Sequence, residues 1–555
     1  MTRGVRLILS LLFLLLLPGG WSAGQRAPAA KIPPLAEQHY QQGMAALQKG
    51  DLPTAIRKFR LAVKYAPKSP AAHNSLGYAY LQNGQADPAV TEFRKAIALG
   101  PTFTEAYLNM ARALERRQDL DGAIQLYQQV LRQRPDWADA HLGLGIVLGR
   151  RGNLLAARKE FEAAVKLMPD WAEAHYHLGM TYWLLADYGP AVSQLRSALD
   201  LQPNHADAHY YLALVYDKQG QFEKAVGEFQ AAARLKPNSA EIHNSMGLAF
   251  HRQDYLVDAA AEFRRAVELR PDDVEPHNNL GLVLLTEGDG DGALREFQTA
   301  VELNPRYYSA RNNLGLVYLQ KAKWEEAIAT YQTLIELDPR NAEAHYNLGV
   351  AFKQKDDFAQ AKVALEKAIS IDPSLPEPHY TLGVIFWQEG SLDEAVAELR
   401  QAIRAKPDYA RARYILGSVL RQKGDLDGAL QELETSLRLD PEDGGAHQAL
   451  GMVLKQRGDT TRAAAEFQKA VALNKAKSDL QAATLATNTG AKQLRDGYMA
   501  GSMEQFHAAL KLAPNYAPAH YQLGLALRAN GAHDQAAAEF EKAHELDPRL
   551  RPPRD

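Results

Sequence analysis

The residues most suggestive of chemistry in this 555-residue sequence are its seventeen histidines, which stand in a chain with no cysteine. Imidazoles ligate metals and move protons near neutral pH, so their spacing decides which use is open. Eleven of them (His39, His73, His141, His175, His209, His243, His277, His345, His379, His447 and His520) recur at multiples of 34 residues, the last after a shift of five. Equivalent positions on successive elements do not converge on one ion, so these read as packing residues. His175 and His177 are two apart and face different sides of a helix. There is no HExxH, no GxSxG elbow, no phosphate-binding glycine loop and no thiol nucleophile. Carboxylates such as Glu173, Asp207 and Glu241 sit where helices begin and suit the positive end of the dipole. We expect no catalytic residues, no metal and no cofactor, hence a protein that is not an enzyme.

The same 34-residue interval organises the whole chain. Rows laid out from Ala36 run in phase through thirteen repeats, 36–477, and two more occupy 483–550 after a five-residue insertion, 478–482. Position eight is Gly in thirteen rows, with Ala111 and Ala213 the exceptions. Position twenty is Ala in all rows but one, which has Ser502, and position thirty-two is Pro in all but one, which has Lys475. Apolar residues recur at helical spacing twice per row, as at Leu314, Val317 and Tyr318 and then Ile328, Tyr331 and Leu334. Each row is therefore a pair of amphipathic helices. Ten rows place Gly at position fifteen, where the chain must turn left-handed, and the Pro ends the second helix.

These columns resemble the tetratricopeptide repeat, a helix-turn-helix unit of 34 residues. The resemblance implies an all-α fold, a right-handed superhelical solenoid in which the first helix of each repeat lines a concave groove through positions two, five, six, nine, twelve and thirteen. Those columns give a banded surface. Repeats 5 and 6 present Tyr176, Met180, Trp183, Tyr210, Tyr211 and Leu214. Repeats 7 to 10 present Asn244, Asn278, Asn279, Asn312, Asn313 and Asn347, and repeats 10 to 12 add Tyr346, Tyr380, Val384, Trp387 and Tyr414. An amide carries both donor and acceptor, so an asparagine ladder suits an extended peptide backbone. Flanking aromatics suit anchoring side chains. The asparagine column resembles that of the repeat arm of O-linked N-acetylglucosamine transferases, although this chain ends five residues after its last repeat, without room for their catalytic domain. Repeat domains that clamp an acidic C-terminal tail carry Asn at position nine, which is mostly apolar and never Asn here.

Composition restricts the partners further. Sixty-three basic and 66 acidic side chains, a net charge of −3, are interspersed along the helices, which leaves no basic face for nucleic acid. Arg3 and Arg6 precede an apolar run over 7–17 and then small residues, the layout of a secretory signal peptide over 1–24. A proline- and alanine-containing tether follows over 25–35. Without a cysteine there is neither a disulfide nor a lipid anchor. We expect an exported, periplasmic or secreted scaffold that binds proteins or extended peptides, touching the membrane only through an uncleaved signal. An arm related to the transferase and a structural subunit of an envelope assembly are the alternatives. Repeat 14, with Thr489, Gln493 and Ser502 at positions that are apolar or alanine in nearly every other repeat, reads as a point of loosened packing and a hinge between repeats 1–13 and the last two. The tail 551–555 completes the chain.

Overall fold

The structure, a computed structural model, describes residues 33–552. The expected signal segment 1–24 and nearly all of the tether lie outside the described residues. Within them the chain is twenty-nine helices and no strand. Each repeat pairs an A helix with a B helix, as Tyr308–Gln320 with Trp324–Leu337 in repeat 9.

The turn between the two is the same in every repeat. All fifteen residues at position fifteen have positive φ: the ten glycines, and also Gln118, Ala186, Asp254, Ala322 and Asp356 at φ 55–63°. The following N–H reaches back to close the helix end, as Asp289 to the Leu284 carbonyl at 2.8 Å, the pattern of a Schellman cap. The same aspartate then accepts from the first turn of the B helix, as Asp289 does from the Gly292 N–H at 2.9 Å, which satisfies an otherwise orphaned donor.

Packing explains the small column. A Cβ added at Gly281 would lie 2.7 Å from the ring of Phe297, at position twenty-four of the same repeat. The A helix lies directly on that ring. In fourteen of the fifteen repeats the residue at position twenty-four is buried, among them Phe59, Tyr127, Phe297, Tyr331 and Leu433.

The repeats fall into two compact units that divide between Pro237 and Asn238. In each unit successive A helices touch, for example Ala172–Leu184 with Ala206–Lys218 and Ala410–Lys423 with Gly444–Gln456. Successive B helices stand further apart, so the A helices line the inner face of each unit.

Regularity breaks in the second unit. The B helix of repeat 13 and the A helix of repeat 14 are a single helix, Thr460–Arg495, of 36 residues. At 1.5 Å per residue it is about 54 Å long. Lys475 replaces the proline that ends every other B helix, and the inserted residues 478–482 continue the helix instead of forming a loop. The boundary expected there is thus a helix interior. Repeat 14 cannot stack on repeat 13 when their helices are collinear. The face that the next A helix covers elsewhere is open: Phe467 is the one position-twenty-four residue outside the buried set, and Val471 is 70% exposed. The other side of the gap explains the polar substitutions, because Thr489 is exposed and Gln493 half-exposed. Repeat 14 itself is packed, with Thr487, Ser502 and Phe506 all buried. Loosened packing was expected inside repeat 14. The exposure instead lies between repeats 13 and 14.

Candidate functional site

The histidine column is a set of inter-helix hydrogen bonds. His73 Nδ1 donates to Glu92 at 2.6 Å, His141 to Glu160 at 2.7 Å, and His209 and His277 to Glu228 and Glu296, each at 2.6 Å. The acceptor is position twenty-three of the same repeat. The other ring nitrogen meets the carbonyl of the proline that ended the preceding repeat, as His141 Nε2 with Pro135 at 2.9 Å and His277 Nε2 with Pro271 at 3.0 Å. Where the column is not histidine another donor serves, Tyr107 to Pro101 and Arg413 to Pro407. These rings join helices and repeats, a more specific role than the packing read from their spacing. Hydrogen bonding to the glutamate, opposed by burial, raises the pKa of His141, His209 and His277 above the usual imidazole value. Among the described residues no group of three His, Asp or Glu is placed to hold a metal ion.

Repeats 5 and 6 bring their six expected groove residues to the inner face of the first unit, where four A-helix aromatics, Tyr176, Trp183, Tyr210 and Tyr211, cluster with His177 and His205. The rings of Trp183 and Tyr211 meet edge-on with centroids 5.3 Å apart, Tyr210 contacts Tyr211 at 5.5 Å, and Tyr176 lies 4.6 Å from His205. Tyr176, Met180, Tyr210 and Tyr211 are buried in this cluster, while Trp183 and Leu214 remain half-exposed. Sequence reasoning missed the acid at its centre. Glu173 accepts from His177 at 3.1 Å and from His205 at 3.4 Å. Burial works against its ionisation, but those two hydrogen bonds and charges hold its pKa far below the carboxylate range. Glu115 in repeat 3 is the opposite case. It pairs with Arg150 at 2.9 Å, yet burial dominates and raises its pKa. Helix-start acids were read as solvated; the conjunction of Glu173 with His177 four residues on was the available signal.

The asparagine ladder is present in the second unit and is bonded to itself. Asn279 donates to Asn244 at 3.0 Å, Asn313 to Asn278 at 3.0 Å and Asn347 to Asn312 at 3.3 Å, in each case from position six to position five of the preceding repeat. Asn278 and Asn347 are buried, whereas Asn244, Asn279, Asn312 and Asn313 keep part of their surface. Much of the capacity assigned to a peptide is therefore used to register neighbouring repeats.

Repeats 10 to 12 hold the second aromatic group. Tyr346, Tyr380, Val384, Trp387 and Tyr414 are all half-exposed on the inner face. Tyr380 packs on Tyr409 with centroids 5.3 Å apart, Arg411 lies 5.9 Å over the Tyr380 ring, and Trp387 Nε1 donates to Gln422 at 2.8 Å. Burial, with Arg411 adding to it, lowers the pKa of the neighbouring Lys353.

A family model described as the C-terminal domain of cilia and flagella-associated protein 70, a tetratricopeptide repeat model, matches residues 100–312 and again 286–487. Tetratricopeptide models match 40–102 and 517–550. The chain belongs to the tetratricopeptide repeat family. As such it is a protein-interaction scaffold with protein partners. Among solved structures this tetratricopeptide repeat protein is similar to MamA, at 30% identity over 31% of this chain and 93% of that one, with a TM-score of 0.29. It is also similar to YrrB, described as a protein with an unusual peptide-binding site, at 23% identity over 33% of this chain and 95% of that one, TM-score 0.31. The Cut9–Hcn1 hetero-tetramer of the APC/C is matched at 16% identity over 89% of this chain and 96% of that one, TM-score 0.36. A search of curated proteins finds no match.

Proposed function

We propose that this repeat protein is a non-catalytic scaffold of the cell envelope, exported by the signal segment 1–24, that holds extended segments of partner proteins on the inner faces of its repeats. The observation that carries this reading is the pair of half-exposed tryptophans, Trp183 and Trp387, each set on an inner face among tyrosines. Large aromatics left partly uncovered in an otherwise well-packed helix array suit the anchoring of a partner's side chains. The bonded asparagines that keep part of their surface, Asn244, Asn279, Asn312 and Asn313, supply further polar contacts on the inner face of the second unit.

The test is affinity capture from envelope extracts of the source organism with residues 25–555 as bait, beside baits carrying Trp183→Ala or Trp387→Ala. A partner held by the parent and lost by a tryptophan variant of unchanged helicity supports the groove. Equal capture by all three sinks it. A second reading, a structural subunit of an envelope assembly, is favoured by the apolar side chains left open along the fused helix, Val471, Leu480 and Leu485. Partners lost on Val471→Asp but kept by both tryptophan variants would point there.

A further inference from the structure

The fused helix sends repeats 14 and 15 back against repeats 7 and 8, about 240 residues earlier in the sequence. Four contacts mark the meeting. Arg495 Nη2 is 3.5 Å from Asp289 and Arg549 Nη1 is 3.3 Å from Asp254. The Arg551 guanidinium lies 4.3 Å over the Tyr255 ring, and Asn488 approaches so closely that a Cβ on Gly288 would be 2.8 Å from its amide nitrogen. Tyr521 is buried at the same place; burial pushes its hydroxyl up to about 12, with Asp258 and Glu287 adding to the effect.

The two sides differ in kind. Repeats 7 and 8 contribute their A–B turns and the first turn of their B helices, which carry Asp254, Asp258, Glu287, Asp289 and Asp291. Repeats 14 and 15 contribute A-helix positions five, six, twelve and thirteen, with Asn488, Arg495, Tyr521 and Arg528, and the two arginines after the last helix, Arg549 and Arg551. Those A-helix positions are the ones that form the inner face elsewhere. An acidic edge is met by a basic inner face.

We propose that the inner face of repeats 14 and 15 is a self-recognition surface whose ligand is the acidic turn edge of repeats 7 and 8, so that the C-terminal pair is a clasp closing the second unit. The strength of the clasp is electrostatic. Arg549 and Asp254 are 58% and 61% exposed in their side chains, and exposed pairs of this type contribute little singly and are screened by salt. The closed arrangement is therefore reversible, and opening it pivots on the fused helix, whose inserted segment 478–482 is exposed along most of its surface. Opening frees a basic inner face at one end and an acidic edge at the other. The inference stands whether or not the tryptophan-bearing faces bind a partner.

A chain without cysteine permits a clean distance measurement. Spin labels at Val257→Cys and Asn530→Cys, on opposite sides of the clasp, are followed by double electron-electron resonance. In low salt one narrow, short distance is expected, unchanged when labelled chain is diluted with unlabelled chain. In 1 M salt, where the Debye length is about 3 Å, or in Arg495→Glu/Arg549→Glu, the long-distance population should grow by about tenfold relative to the short one. Adding Asp289→Arg/Asp254→Arg to that variant should restore the short distance. A distribution that ignores salt and charge reversal alike overturns the clasp, as does a short distance that vanishes on dilution, which would make the contact one between copies.

Discussion

Phe297→Ala and Phe467→Ala make the same chemical change at the same position of two repeats, and the fold gives them different costs. Phe297 is fully buried, with the Gly281 backbone on one face of the ring and the next repeat's A helix beyond it. Truncating such a ring costs about 3–5 kcal/mol through lost transfer energy and the cavity left behind. Phe467 touches the Gly451 backbone in the same way, since a Cβ there would lie 2.7 Å from the ring. Its other side is open because the fused helix carries repeat 14 away. Part of the ring is already hydrated and the site can collapse, so about half that loss, roughly 1.5–2.5 kcal/mol, is expected. A repeat array need not unfold in one step, so the assay is native-state hydrogen exchange. The opening free energies of the A helices Val274–Thr286 and Gly444–Gln456 are compared in each variant. Equal losses at the two sites would refute the reasoning, because Phe467 would then be covered by a stacked repeat 14 and the helix Thr460–Arg495 would be broken in solution.

Three further outcomes follow from other parts of the repeat. Gly281→Leu should lower stability by about 1–3 kcal/mol through overpacking on Phe297, and a melting curve matching the parent would remove the close-approach explanation of position eight. Ala186→Gly and Ala322→Gly relieve a left-handed conformation, φ 59° and 55°, and should each stabilise by about 1 kcal/mol; a lowered melting temperature would contradict that. The histidine bonds make stability depend on pH. His141, His209 and His277 have pKa values raised in the folded state above 6.5, so their contribution is complete below about pH 6.5 and is lost as pH rises through the folded values. Urea midpoints should fall between pH 6 and pH 8.5, and the triple change to Gln should flatten that fall. A midpoint that rises over this range would reverse the assignment.

Both ring nitrogens of these histidines face acceptors, a carboxylate and a proline carbonyl, and only the doubly protonated ring donates to both. The pairing of His at position four with Glu at position twenty-three was legible in principle, since both columns repeat along the chain. The two residues lie nineteen apart on different helices, so the pair exists only once those helices pack. The bonding of the asparagine ladder is likewise decided by how the helices pack. Position five and position six are neighbours along the chain, and the A helices lie close enough for position six of one repeat to bond position five of the one before it.

Local chemistry repeated many times is what the sequence determined by itself. Gly at position eight, Ala at twenty, the left-handed turn at fifteen and Pro at thirty-two each act within a single repeat. Their 34-residue recurrence was enough to establish paired helices and the resemblance to the tetratricopeptide family; that the five turns without glycine are left-handed as well is seen only in the structure. The tertiary structure decided what depends on residues far apart in the chain. Lys475 and the insertion 478–482 were visible as irregularities. Whether they made a loop or a continued helix depended on where repeats 14 and 15 found their contacts, and those contacts, Arg495 to Asp289 and Arg549 to Asp254, obey no period. A repeat pattern encodes interactions between neighbours; a chain that folds back on itself brings together surfaces whose complementarity is one of charge and shape, and only their arrangement in space reveals it.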